Sequence, residues 1–118
     1  MKNLPHQKPI RFVENIIKSE GEAIFVSCKF PTLPTLAMIC EAAAQSSIAF
    51  NKNEEPKIGF LLTLKDVELL KECKNLSYEI KIKKDTSFEL LNEFSFELID
   101  KIDIYARGKF IVKIEDKI

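Results

Sequence analysis

Residues 36–50 read Leu-Ala-Met-Ile-Cys-Glu-Ala-Ala-Ala-Gln-Ser-Ser-Ile-Ala-Phe, with no glycine, proline, lysine or arginine among them. A run this rich in alanine is a strong helix former. A helix that is apolar or small on every side needs structure all around it rather than a single dry face. It would rise about 22 Å, short for a bilayer span, and it carries a carboxylate, Glu41. Any fold available to this chain has to enclose that helix.

The remaining sequence offers strands to do so. Residues 11–18 and 22–30 are rich in β-branched and aromatic side chains and flank Ser19-Glu20-Gly21, a glycine turn. They read as a hairpin, although the first segment alone also fits a short helix. Pro31-Thr32-Leu33-Pro34-Thr35 breaks the extended run, with Thr32 as a helix cap and Pro34 inside the first turn. A polar loop at 51–57 follows the helix. Four extended segments then cover 58–70, 76–84, 88–99 and 102–114, the last two linked by Asp100-Lys101. In the second of these Leu76, Tyr78, Ile80 and Ile82 alternate with Ser77, Glu79, Lys81 and Lys83, the period of a half-buried antiparallel sheet. The order predicts one α+β domain over residues 1–118, a curved antiparallel sheet of five to six strands wrapped around one long central helix. Several folds share that outline.

Eighteen basic against eighteen acidic residues give a net charge of zero, without the positive field that nucleic acid or an anionic membrane requires. Neither is expected as a partner. Cys28, Cys40 and Cys73 are widely spaced and His6 is the single histidine, so no metal site is expected. The first residues lack the apolar core of a signal peptide, and a cytoplasmic chain with reduced thiols is expected. No glycine-rich phosphate loop, G-x-S-x-G or H-E-x-x-H occurs.

Glu41 is the anomaly of the helix, because a desolvated carboxylate has to be paired, hydrogen-bonded or protonated. Gln45 lies four residues on and shares its face, so its amide is placed to orient the carboxyl group. Enclosure favours the protonated form of a carboxylic acid, which suits it to donate a proton near neutral pH. The alternative is an acid held by the helix dipole or reaching water at the helix edge. Any imidazole base has to be His6, which otherwise reads as a surface residue near a terminus. Cys40 reads as a buried structural thiol and Lys29 as a solvated charge at a strand end.

The run Leu4-Pro5-His6-x-x-Pro9, the segment from Phe30-Pro31 to Phe50 with Glu41-Ala42-Ala43-Ala44-Gln45, and Gly59-Phe60-Leu61-Leu62 resemble the hotdog-fold 3-hydroxyacyl-acyl carrier protein dehydratases. The likeness is to their short, aryl-polyene-type branch, where L-P-H-x-x-P, E-x-x-A-Q and G-F-L occur in this order. It covers residues 4 to about 70. The resemblance implies a hotdog dimer and dehydration of a 3-hydroxyacyl thioester to a trans-2-enoyl thioester, with His6 as base and Glu41 as acid. It implies that Thr35, Leu36, Gln45, Gly59, Phe60 and Leu61 line the substrate site, with helix-start N–H groups polarising the thioester carbonyl. The substrate would arrive on acyl carrier protein phosphopantetheine or as acyl-CoA, with no other cofactor. One departure is that Lys29-Phe30-Pro31 stands where the long dehydratases carry a histidine in H-F-P, with a shorter turn after it. A thioesterase of the same fold and a non-catalytic acyl-binding relative are the alternatives.

Overall fold

The computed structural model describes residues 11–47 and 57–116. In chain order the elements are β1 (Val13–Glu20), β2 (Ala23–Lys29), α1 (Leu36–Ser46), β3 (Lys57–Leu69), β4 (Ser77–Phe88), β5 (Leu91–Asp100) and β6 (Asp103–Asp116). All six strands join one antiparallel sheet in the order β1-β2-β4-β5-β6-β3. The last turn expected of the helix, residues 48–50, and the loop at 51–56 lie outside the described residues, as does the L-P-H-x-x-P run with His6.

Three two-residue hairpins set the register, with closing pairs Glu20↔Ala23, Phe88↔Leu91 and Asp100↔Asp103. In each the first loop residue has a positive φ: Gly21 at 58°, Glu89 at 55° and Lys101 at 60°. Positive φ at that position alone is the pattern of a type II′ turn, which matches the twist of paired strands. Glycine adopts it freely and side chains resist it. Space is open around Gly21, so a Cβ there meets nothing within 4 Å and backbone strain is the whole cost. Gly21→Ala is expected to cost about 1 kcal/mol, and Lys101→Gly to gain a few tenths of that, in urea denaturation.

Alternation puts Tyr78, Ile80 and Ile82 of β4, Phe94, Phe96 and Leu98 of β5, and Ala106, Phe110 and Val112 of β6 in the core. Against them pack Ile39, Cys40, Ala42 and Ala43 of the helix. Phe94 stacks on Phe110 at 5.3 Å between ring centroids, and Phe12 lies 5.1 Å from Phe30. Both distances are favourable aromatic spacings. Small alanines on the helix let it settle close to these rings.

The helix start differs from its sequence reading. Thr35, not Thr32, is the cap: its backbone is extended and its hydroxyl accepts the N–H of Met38 at 3.2 Å. Pro34 precedes the cap instead of entering the first turn. A proline drives the residue before it out of the helical region, so no turn can begin at Leu33. The helix is also less enclosed than its composition implies. Ile39, Cys40, Ala42, Ala43 and Ser46 are buried, whereas Ala37 is exposed and Glu41, Ala44 and Gln45 are half-buried. These four fall on one stripe, at i, i+4, i+7 and i+8. A single sheet covers one side of a helix, and this stripe is the side it leaves open.

Candidate active site

Glu41 and Gln45 meet on that open stripe. The Gln45 amide Nε2 donates to Glu41 Oε2 at 3.3 Å, and Gln45 Oε1 accepts the backbone N–H of Phe12 at 2.9 Å and of Val13 at 3.4 Å. Two backbone donors on Oε1 fix which way the amide faces, and Nε2 is then directed at the carboxylate. The acid is therefore oriented by a side chain that is itself tied to the chain entering β1. Sequence spacing could give the Glu41–Gln45 pair. The bonds to Phe12 and Val13 span more than thirty residues and have no local signal.

The helix start lies five residues from Glu41, about 7.5 Å along the axis. Leu36 is half-buried there and Thr35 exposed. The first helical N–H groups have no intrahelical acceptor. Thr35 takes that of Met38, and no acidic residue in the first turn offsets the positive end of the helix. That end is suited to a developing negative charge on oxygen.

Gly59, Phe60 and Leu61 lie on β3, paired with Ile114, Lys113 and Val112 of β6. Val112 belongs to the core, so Leu61 opposite it is on the helix-facing side, where it is 41% exposed. β3 has β6 on one side and ends the sheet on the other. Leu62 and Leu64 are exposed along it as well. An apolar edge strand of this length is a template for a further strand. Lys29 ends β2, exposed, with its N–H bonded to Phe12 O.

Cys40, next to Glu41, faces the core. Burial pushes its thiol up from the usual range, and pushes Cys28 up to about 12. Both are neutral thiols at physiological pH, not nucleophiles. Among the described residues no group of His, Cys, Asp and Glu is arranged to hold a metal ion, and no helix is long and apolar enough to cross a membrane.

Cavities among the described residues include a trough and a groove. A trough of about 380 Å³ runs between the second half of the helix and β1, with Gln45 in its wall. A groove of about 560 Å³ lies over the middle of the sheet, among Lys81, Lys83, Glu97, Arg107 and Lys109. Mixed charges line the larger one, with Arg107 paired to Glu68 at 3.1 Å. It has neither helix residues nor the candidate acid and reads as a solvated face.

No protein-family profile matches the chain, and no curated protein does. Solved structures do. The dehydratase heterocomplex ApeI:P from Xenorhabdus doucetiae is similar with a TM-score of 0.73 at 16% identity, covering 97% of this chain and 89% of that one. The acetyl-CoA-bound smu.793 from Streptococcus mutans UA159 gives 0.70 at 12% identity, covering 98% of each chain. Thioesterase HI1161 from Haemophilus influenzae gives 0.64 at 7%, covering 86% of this chain and 77% of that one. Among the described residues one antiparallel sheet of six strands carries one helix, and with the likeness to these structures this makes the chain a hotdog-fold protein. Both a dehydratase and thioesterases have that fold, so the choice between them rests on the site.

Proposed function

We propose that the chain is a 3-hydroxyacyl thioester dehydratase, with Glu41 as general acid and His6 as general base. The observation carrying this reading is the oriented carboxyl group: Glu41 on the uncovered helix stripe, held by a Gln45 amide that Phe12 and Val13 lock in place. Phe12 follows His6 by six residues, a tether that spans at most about 20 Å. That short reach in sequence supports His6 as the base.

His6 removes the C2 proton, and the electron pair moves toward the thioester carbonyl oxygen, which the helix-start N–H groups of Leu36 and Ala37 stabilise. The enolate collapses to a C2–C3 double bond as the C3–O bond breaks, and Glu41 gives its proton to the departing hydroxyl as water. His6 leaves the cycle protonated and Glu41 ionised, and solvent returns both to their starting states. The reaction is redox-neutral, and an acid and a base are sufficient for it. A carrier phosphopantetheine arm, or CoA, presents the thioester, and Gly59, Phe60 and Leu61 border the site from β3. In this reading a second chain, a copy of this one or another protein, pairs on the exposed β3 edge.

The wild-type chain incubated with a 3-hydroxyacyl thioester on acyl carrier protein is expected to raise enoyl-thioester absorbance without releasing free thiol. Thiol release with no enoyl product would assign it as a thioesterase. Binding with neither product would leave an acyl-binding module.

A further inference from the structure

We infer that the groove on the outer face of the sheet binds a phosphate-bearing anion, held between Lys83 and Lys109 over the hydroxyl of Ser95. The site is separate from the helix side, and the inference does not depend on the dehydratase reading. Lys81 and Lys83 alternate with Ile80 and Ile82, Ser95 and Glu97 with Phe94 and Phe96, and Arg107 and Lys109 with Ala106 and Phe110. Those apolar partners fill the core, so the charged set faces away from the helix, around a groove of about 560 Å³.

Strand register sorts these side chains into two rows. One runs Lys81, Glu97, Arg107, Glu68 across β4, β5, β6 and β3. Its signs alternate and it neutralises itself, with Arg107 paired to Glu68. The next runs Lys83, Ser95, Lys109, Lys65, in which every member but the serine is a cation. Like charges in register repel. Lys65 is relieved by Glu93 at 3.0 Å, but Lys83 and Lys109 form no ion pair with a described residue. Their field reaches Glu93, whose carboxyl is held below its usual range chiefly by the hydrogen bond from Lys65, with the charges of Lys65 and Lys109 adding.

The serine turns this row into a seat. Its short side chain leaves a low floor between two long, exposed ones, whose strands lie two spacings apart, about 9.6 Å. Two ammonium groups flanking a hydroxyl offer charge-assisted donors to the oxygens of a phosphate or pyrophosphate. The acids around it are engaged or set apart: Glu97 lies in register between Lys81 and Arg107, and Asp66 stands on β3, beyond β6. Asp85 accepts from Ser95 Oγ at 3.2 Å, a long hydroxyl bond on open surface that an incoming phosphate oxygen can replace.

Calorimetric titration of the full chain with inorganic pyrophosphate at low ionic strength tests the site in the wild type, Lys83→Gln, Lys109→Gln and Lys101→Gln. Lys101 lies in the hairpin after β5, so its loss removes the same charge without touching the groove. All three lysines are exposed, and circular dichroism should show the fold kept. The wild type is expected to bind saturably, each groove variant about tenfold more weakly, and Lys101→Gln within about twofold of the wild type. No pyrophosphate binding by the wild type, or equal weakening in all three variants, would overturn the site. Phosphatidylglycerol vesicles separate the sources of the phosphate: sedimentation of the wild type with them, lost in both groove variants, assigns it to a lipid headgroup. Pyrophosphate binding without sedimentation assigns it to a soluble ligand.

Discussion

Gly108→Ala is expected to lower the unfolding free energy by about 1–3 kcal/mol, although it adds a single methyl group. A Cβ at this position would lie 2.8 Å from Val67 Cγ2, 3.0 Å from Phe96 Cε2 and 3.1 Å from Val67 Cα. Rotating the valine relieves the first contact and shifting a ring the second, but the third is backbone. Relieving it requires β3 to move where it is already irregular, since Asp66 has φ 51° and the β3–β6 register slips between Lys65 and Glu68. Urea denaturation should show a lower midpoint at unchanged slope. A change under a few tenths of a kcal/mol would mean that β3 does not lie this close to β6.

Glu41→Gln is expected to cut turnover by about 10²- to 10⁴-fold while leaving the denaturation midpoint nearly unchanged. The amide is isosteric and still accepts from Gln45 Nε2, but it has no acidic proton to give. Gln45→Leu should behave differently. It strips the acceptor from the Phe12 N–H, a part-buried donor, and so is expected to cost about 1–3 kcal/mol of stability together with a smaller loss of rate. A Gln45→Leu enzyme at full rate, with Glu41→Gln inactive, would show that the carboxyl group needs no orientation. The contrast separates a group that reacts from one that positions it.

These contrasts track what is legible in the residues. The helix can be read from its alanines, β4 from its strict alternation, and the turn between β1 and β2 from Gly21, because all three are local. The Glu41–Gln45 pair is legible for the same reason, since four residues make a helical face. The position of β3 is not. It follows the helix in sequence yet pairs with β6 at the far edge, and nothing near 57–69 announces that partner. Thr32 and Thr35 are equally good cap residues by type, and only the constraint of Pro34 on Leu33 separates them. The open stripe was hidden by composition: Ala37, Ala44 and Gln45 are small or neutral and look like interior residues whether or not anything covers them. Val13, Ile16 and Val26 read as ordinary strand positions, and their place beside Gln45 depends on how β1 meets the helix.

If Glu41 protonates the leaving oxygen, its loss should matter only when that oxygen needs a proton, and a change of leaving group separates the two cases. A 3-fluoroacyl thioester needs the same C2 proton removed, but its fluoride departs without a proton. Elimination from the 3-fluoro and 3-hydroxy substrates should be compared in the wild type, Glu41→Gln and His6→Ala by enoyl absorbance. Glu41→Gln should keep most of the wild-type rate on the fluoro substrate while losing about 10²-fold or more on the hydroxy substrate, and His6→Ala should lose both. Equal losses on the two substrates in Glu41→Gln, or no loss on either, would contradict proton donation by Glu41.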